Sequence, residues 1–174
     1  TPFVIGALRL AVGSLALLLW CAKSGRLPSL RTWPLGKTLL AAMGVLGYQL
    51  SFFMALKYTG VAVGTVVGIG ATPIIGGAMA WIFLKEKPLK IWYPATAVAL
   101  VGLGLLTLTG EISIEPLGIL LALGAAFFYS VYIIAGKVLV QGRDADAVMG
   151  VLFGIGAVCC LPVFFIFPTA WIAT

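Results

Sequence analysis

Six apolar stretches follow one another along the sequence, and each is long enough to cross a lipid bilayer. They cover approximately residues 2–22, 38–56, 61–84, 91–109, 117–136 and 147–167. A helix rises about 1.5 Å per residue, so about twenty apolar residues cross a hydrocarbon core about 30 Å thick. Their only charge is Arg9, and they lack the alternating pattern of barrel strands. The sequence therefore predicts an all-α membrane protein, a multi-pass helical bundle with about six spans.

The composition excludes several classes of protein. Apolar residues make up 62% of the chain and charged residues 9%, which leaves too few charges to cover a soluble domain. The net charge of +6 does not indicate a nucleic-acid partner, because the bases lie in short loops rather than on one solvated face. There is no histidine, and the three cysteines lack the spacing of metal ligands. We expect no cofactor and no metal, and the expected partners are the lipid bilayer and a small-molecule substrate.

The basic residues are concentrated in alternate loops. The loops after spans one, three and five carry nearly all of them: Lys23, Arg26, Arg31, Lys37, Lys85, Lys87, Lys90, Lys137 and Arg143. Basic loops stay in the cytoplasm, so span one is predicted to run from outside to inside and span six from inside to outside. We expect a multi-pass protein of the cell membrane, with the bacterial inner membrane favoured.

The first and last spans resemble each other. Gly6 overlays on Gly150, and Leu8 on Leu152. The equivalent helices are five steps apart in the order of spans, and an odd offset turns the second copy upside down relative to the first. The overlay therefore predicts inverted-repeat architecture, in which the substrate site is expected near the bilayer midplane.

Three stretches resemble the drug/metabolite transporter superfamily, and within it the EamA-type transporters. They are GALRLAVGSLALLL, FFMALKYTGVAVGTVVGIGATPIIGGAMAWIFLKEKPLKIWYPATAVALVGLGLLTL and LGILLALGAAFFYSVYIIAGKVL. The resemblance implies a ten-helix inverted-repeat transporter fold. Residues 1–110 would supply helices two to five of the first repeat and residues 111–174 the first two helices of the second, with the chain truncated at both ends. Phe153 stands where the second repeat would repeat Arg9, so a role of that arginine would not be duplicated.

Polar and aromatic side chains within the spans are candidate substrate contacts. Tyr48 and Phe52 share one face of span two and Gln49 flanks them, so this face either lines a cavity or makes ordinary interhelical contacts. Span five carries Tyr129 and Tyr132 on one face, which are predicted to lie opposite span two. The remaining candidates are two hydroxyls of span three, Thr65 and Thr72.

Three further residues are candidates for gating or for a structural role. Arg9 either snorkels to the outer interface or lines the substrate path, because a charge within a span is costly. Pro73 lacks an amide hydrogen and frees a carbonyl near Ile69, where a bend could expose backbone acceptors. Glu86 lies at the cytoplasmic end of span three, where we favour a solvated ion pair or cap over a gate.

The functional prediction is an alternating-access carrier, expected to export small metabolites such as amino acids or amphipathic, drug-like solutes. A channel or a non-transporting assembly subunit is the alternative, and a homodimer is left open. An enzyme is not expected, because Asp144 and Asp146 form the only acidic pair and lie in a loop where no further partner is predicted. No carboxylate lies within a span, so the sequence does not support a proton relay.

Overall fold

The computed structural model describes residues 2–26, 33–107 and 115–161. Five helices make up this part of the chain, and it contains no strand: α1 Pro2–Lys23, α2 Leu35–Leu84, α3 Trp92–Thr107, α4 Pro116–Val140 and α5 Ala145–Cys159. The all-α prediction is therefore confirmed. Arg31 and the predicted ends of spans four and six lie outside the described residues.

Among the described residues, three helices are long and apolar enough to cross a membrane: Val4–Lys23 within α1, the whole of α2, and α4. With 50 residues, α2 would be about 75 Å long if it were straight, more than twice the thickness of a hydrocarbon core. A single pass is excluded for such a helix, and the chain is a multi-pass membrane protein.

The long helix α2 folds back on itself at Gly60, where the backbone has φ 76° and ψ 168°. A Cβ on Gly64 would lie 2.8 Å from Leu56, and one on Gly68 would lie 3.5 Å from the ring of Phe52. Each pair is symmetric about Gly60, so residues 35–59 (the first arm) and residues 61–84 (the second arm) run antiparallel. These arms correspond to predicted spans two and three.

The described helices divide between two compact units: Thr1–Leu46 with Ala135–Thr174, the terminal unit, and Gly47–Ile134, the central unit. Within the central unit, the first arm packs antiparallel to α4. A Cβ on Gly47 would lie 2.5 Å from the ring of Phe128, whereas one on Gly118 would lie 2.9 Å from Cβ of Tyr58. Residue numbers in these contacts increase along the first arm as they decrease along α4, so the two helices run antiparallel.

The second arm of the central unit runs parallel to α4. A Cβ on Gly68 would lie 3.5 Å from the carbonyl oxygen of Ala122, and one on Gly76 would lie 3.3 Å from Oγ of Ser130. Residue numbers in these contacts increase along both helices, so the two helices run parallel. The alternating span directions predicted from the loop charges require this arrangement of spans two, three and five.

In the terminal unit, α1 and α5 pack antiparallel. A Cβ on Gly156 would lie 3.3 Å from Leu10, and one on Gly150 would lie 3.0 Å from Leu18. Predicted spans one and six therefore run in opposite directions, as the loop charges indicate. Small residues on α5 allow this close approach.

Candidate functional site

Four aromatic side chains of the central unit form a continuous series of ring contacts. Tyr48 stacks on Phe52 with ring centroids 5.4 Å apart, and it lies 5.1 Å from the ring of Tyr129. The ring of Tyr129 lies 5.8 Å from that of Tyr132. We call these four residues the tyrosine cluster; all four are half-buried.

Helical spacing and helix direction together build the tyrosine cluster. Tyr48 and Phe52 are four residues apart on the first arm, and Tyr129 and Tyr132 are three apart on α4, so each pair shares a helix face. The absence of a side chain at Gly47 leaves room for an aromatic ring of α4 beside the first arm. The structure thus brings together the aromatic candidates of spans two and five. Their role in binding a substrate stays a prediction.

The other predicted substrate contacts lie outside this series of rings. Gln49 follows Tyr48 on the first arm and is buried, with 3% of its surface exposed. Thr65 is half-buried on the second arm. The hydroxyl of Thr72 donates a hydrogen bond to the carbonyl of Gly68 at 2.9 Å, so it is engaged with its own helix. This bond favours a structural role for Thr72.

The three gating candidates occupy different places. Pro73 lies inside α2, but the non-helical residue that interrupts this helix is Gly60, so no break accompanies the proline. Glu86 is exposed just after Lys85, whose φ of 56° ends α2, and its backbone N–H reaches the carbonyl of Ala80 at 3.4 Å. Arg9 is exposed on α1 of the terminal unit. Their functional roles remain predictions.

Sequence reasoning missed the buried hydroxyl of Ser14. Its Oγ donates a hydrogen bond to the carbonyl of Gly150 at 2.8 Å, across the contact between α1 and α5. A Cβ on Gly154 would lie 2.9 Å from the same oxygen, so the absence of a side chain at Gly154 makes room for it. The usable signal was a lone hydroxyl in span one together with two glycines four residues apart in span six.

The expectation that Asp144 has no further partner is wrong. Its Oδ2 accepts a hydrogen bond from Nη1 of Arg26 at 2.7 Å, in an ion pair between the loops that follow α1 and precede α5. Its Oδ1 accepts from the backbone N–H groups of Asp146 and Ala147 at 3.0 and 3.2 Å, which caps α5. The antiparallel packing of α1 and α5 brings the two loops to the same end of the terminal unit.

These contacts favour the charged forms of both partners. The backbone N–H of Ala147, followed by the Arg26 guanidinium, holds the pKa of Asp144 below its usual range. The hydrogen bond to Asp144 raises the pKa of Arg26. Both side chains are therefore charged at neutral pH, and protonation of the carboxylate would weaken the ion pair only in acid.

A second contact joins the same loops. The guanidinium carbon of Arg143 lies 5.8 Å from the centroid of the Trp33 ring, within the range of a cation–π interaction. Nη1 of Arg143 also donates a hydrogen bond to the carbonyl of Leu139 at 3.2 Å, near the end of α4. Two neighbouring residues, Arg143 and Asp144, thus each contact the loop between α1 and α2.

The tyrosine cluster offers two kinds of contact group. Stacked rings offer apolar faces, and phenol hydroxyls offer hydrogen bonds, the combination by which small-molecule sites hold and orient a ligand. Within the described residues, no three His, Cys, Asp or Glu side chains are grouped to hold a metal ion.

The antiparallel apolar helices define a polytopic α-helical membrane protein with an aromatic cluster between facing spans. Residues 1–108 match the model of the EamA-like transporter family, and the chain belongs to this family. The whole chain is also 37% identical, over 177 aligned residues, to the uncharacterized transporter YwfM of Bacillus subtilis (strain 168). The chain spans 59% of the length of that relative. No solved structure matches the chain.

Proposed function

We propose that the chain is part of a carrier that moves a small organic solute across a membrane and contacts it through the tyrosine cluster. The observation that carries this proposal is the meeting of four aromatic side chains from two antiparallel helices, with ring centroids 5.1–5.8 Å apart. Membership of a transporter family and the transporter name of the YwfM relative support it.

The carrier works by alternating access between two inverted repeats, residues 1–110 and 111–174. The family match, which ends at residue 108, supports this division. A site built on facing helices can open toward either surface when the repeats move relative to each other. The Tyr48 and Tyr129 rings, 5.1 Å apart, come from different helices, so such a movement changes the surface that a bound solute meets.

The proposed cargo is an amino acid or an amphipathic, drug-like solute, and the direction is export across the bacterial inner membrane. Phenol rings bind apolar or aromatic groups by stacking, and their hydroxyls accept or donate hydrogen bonds. The predicted spans contain no carboxylate, so the proposed transport is exchange or facilitated diffusion rather than a proton relay through these spans.

The test of transport is flux into liposomes containing the full-length protein, with a panel of radiolabelled amino acids and amphipathic solutes. Transport by a carrier is expected to saturate with solute concentration, because each cycle requires occupation of a binding site. Flux that stays linear over the whole range would reject the carrier and favour a channel.

The role of the tyrosine cluster is tested with Tyr48→Ala and Tyr129→Ala in the same assay. Loss of one aromatic contact is expected to raise the apparent KM about 2- to 10-fold. Phe127→Ala is the matched control, because this ring is 46% exposed on the same helix as Tyr129 and contacts Phe128 instead of the cluster. Unchanged KM values in both tyrosine variants would remove the cluster from the substrate site.

A further inference from the structure

We propose that Arg26, Asp144, Arg143 and Trp33 form a reversible latch that holds the cytoplasmic ends of α1 and α5 together. We call these four residues the loop latch. This inference rests on the proposed function, because a latch at one membrane surface matters to a carrier that opens and closes there. The latch stabilises the state in which this end is closed, and its release precedes opening toward the cytoplasm.

The first contact of the loop latch can break without dismantling α5. The two oxygens of Asp144 have separate partners: Oδ2 accepts from Arg26, whereas Oδ1 accepts from the first backbone N–H groups of α5. Release of Arg26 therefore leaves the helix cap in place. Asp144 can therefore keep its cap on α5 while its ion pair with Arg26 forms and breaks.

The second contact of the loop latch, between Arg143 and Trp33, includes two more helix ends. Arg143 is anchored to the carbonyl of Leu139 near the end of α4, and its guanidinium lies over the ring of Trp33, two residues before α2. The latch thus connects the ends of four helices, α1, α2, α4 and α5. Because the two contacts are adjacent along the chain, displacement of the loop before α5 breaks both.

Exposure of the ion pair suits a contact that opens repeatedly. The side chain of Arg26 is 45% exposed and that of Asp144 is 26% exposed, so water competes for both charges. Ion pairs of this kind shift an equilibrium by up to about five-fold. The loop latch therefore biases the closed state without locking it.

A natural reporter lies one turn from the ion pair. Cys21 is fully buried, and its carbonyl accepts a hydrogen bond from the backbone N–H of Arg26 at 2.8 Å. Opening of this end of α1 would expose the Cys21 thiol. Its rate of reaction with a maleimide consequently reports the fraction of time that the latch is open.

The experiment measures maleimide labelling of Cys21 in the full-length protein in inside-out vesicles, with every other cysteine replaced by serine. Arg26→Gln is expected to increase the labelling rate about 2- to 5-fold. Arg26→Lys keeps the charge and is expected to stay near the parent rate. Lys23→Gln is the matched control, because it removes an exposed base from the last turn of α1 and leaves the ion pair intact.

Asp144→Asn provides an independent test, because asparagine keeps the helix cap and loses the charge. It is expected to raise labelling as much as Arg26→Gln, and the double variant no further, since both remove one interaction. The two substitutions have opposite electrostatic effects on the thiolate of Cys21: Arg26→Gln removes a nearby positive charge and disfavours it, whereas Asp144→Asn removes a negative charge and favours it. A faster labelling rate in both variants therefore reports greater exposure of the thiol rather than a change in local charge.

Several outcomes separate the latch from the proposed function. Unchanged labelling in Arg26→Gln, or additive effects in the double variant, would overturn the latch even if liposome flux saturates. A rise in both single variants supports the latch at the level of conformation. If liposome flux is linear while Cys21 labelling rises in both single variants, the carrier proposal is rejected and the loop latch is supported only as a conformational contact.

Discussion

At the residue scale, Ser14 shows how one hydroxyl fixes two apolar helices. Lipid tails are as apolar as leucine, so helices in a membrane gain little from hydrophobic contact with each other and depend on close packing and hydrogen bonds. Ser14 combines both, because its hydroxyl donates to the carbonyl of Gly150 while Gly154 leaves room for it. This residue positions α5 along α1.

Ser14→Ala is expected to lower the free energy of unfolding by about 0.6 kcal/mol, and by no more than about 1.7 kcal/mol, the range of interhelical hydrogen bonds in membranes. Reversible unfolding in mixed micelles measures this change. Ser51→Ala is the control, because Ser51 also packs beside a glycine, Gly124, but the described part of the chain offers its hydroxyl no hydrogen bond. Equal effects of the two substitutions would show that the hydrogen bond contributes nothing.

The sequence predicted the side-chain contacts within a helix but not the ion pair between distant residues. Tyr48 with Phe52, and Tyr129 with Tyr132, follow from helical spacing, so each pair is readable from the sequence alone. The ion pair of Arg26 with Asp144 joins residues that are 118 positions apart, and no local pattern indicates it. Such long-range pairs depend on which helices become neighbours, which periodicity does not determine.

At the element scale, Gly60 divides the 50-residue helix α2 into two spans. Its φ of 76° and ψ of 168° belong to a region of backbone conformation that only glycine adopts readily. The chain therefore reverses direction between the two arms of α2 at a single non-helical residue. The hairpin places Phe52 of the first arm beside Gly68 of the second.

Gly60→Ala is expected to destabilise the protein by about 1–3 kcal/mol, the cost of holding a residue with a Cβ in this conformation. Crowding cannot explain such a loss, because a Cβ at Gly60 would meet nothing within 4 Å. Gly36→Ala is the matched control, since Gly36 lies in the first turn of α2, also has open space, and has no positive φ. We expect that control to be neutral or stabilising by about 0.5–1 kcal/mol.

The same unfolding measurement, made with both glycine variants, decides between backbone strain and general helix propensity. If Gly36→Ala and Gly60→Ala change stability equally, the reversal at Gly60 does not require glycine. The sequence predicted a boundary between residues 56 and 61 from the end of one apolar stretch, although it did not indicate which residue would reverse the chain. Helix caps and turns are defined by particular backbone dihedral angles, and the hydropathy of a sequence does not indicate where those angles occur.

At the scale of the whole molecule, loop charges predicted the relative directions of the helices. Within the central unit, the first arm and α4 run antiparallel and the second arm and α4 run parallel; within the terminal unit, α1 and α5 run antiparallel. An alternating up-and-down chain produces these directions. The helix order followed from sequence because each span is a separate apolar segment, whereas the neighbours of each helix depend on small residues such as Gly47.

The orientation of the protein in the membrane follows from the same charges and is tested by labelling single cysteines in intact cells. Lys57 is exposed near the reversal at Gly60, and Lys87 is exposed after α2, so the two positions mark opposite ends of the second arm. In a full-length protein without other cysteines, Lys57→Cys is expected to react with a membrane-impermeant maleimide from outside. Lys87→Cys should react only after the cells are opened, because lysine-rich loops are retained in the cytoplasm. Reaction of position 87 but not of position 57 in intact cells would reverse the orientation and move the loop latch to the outer surface.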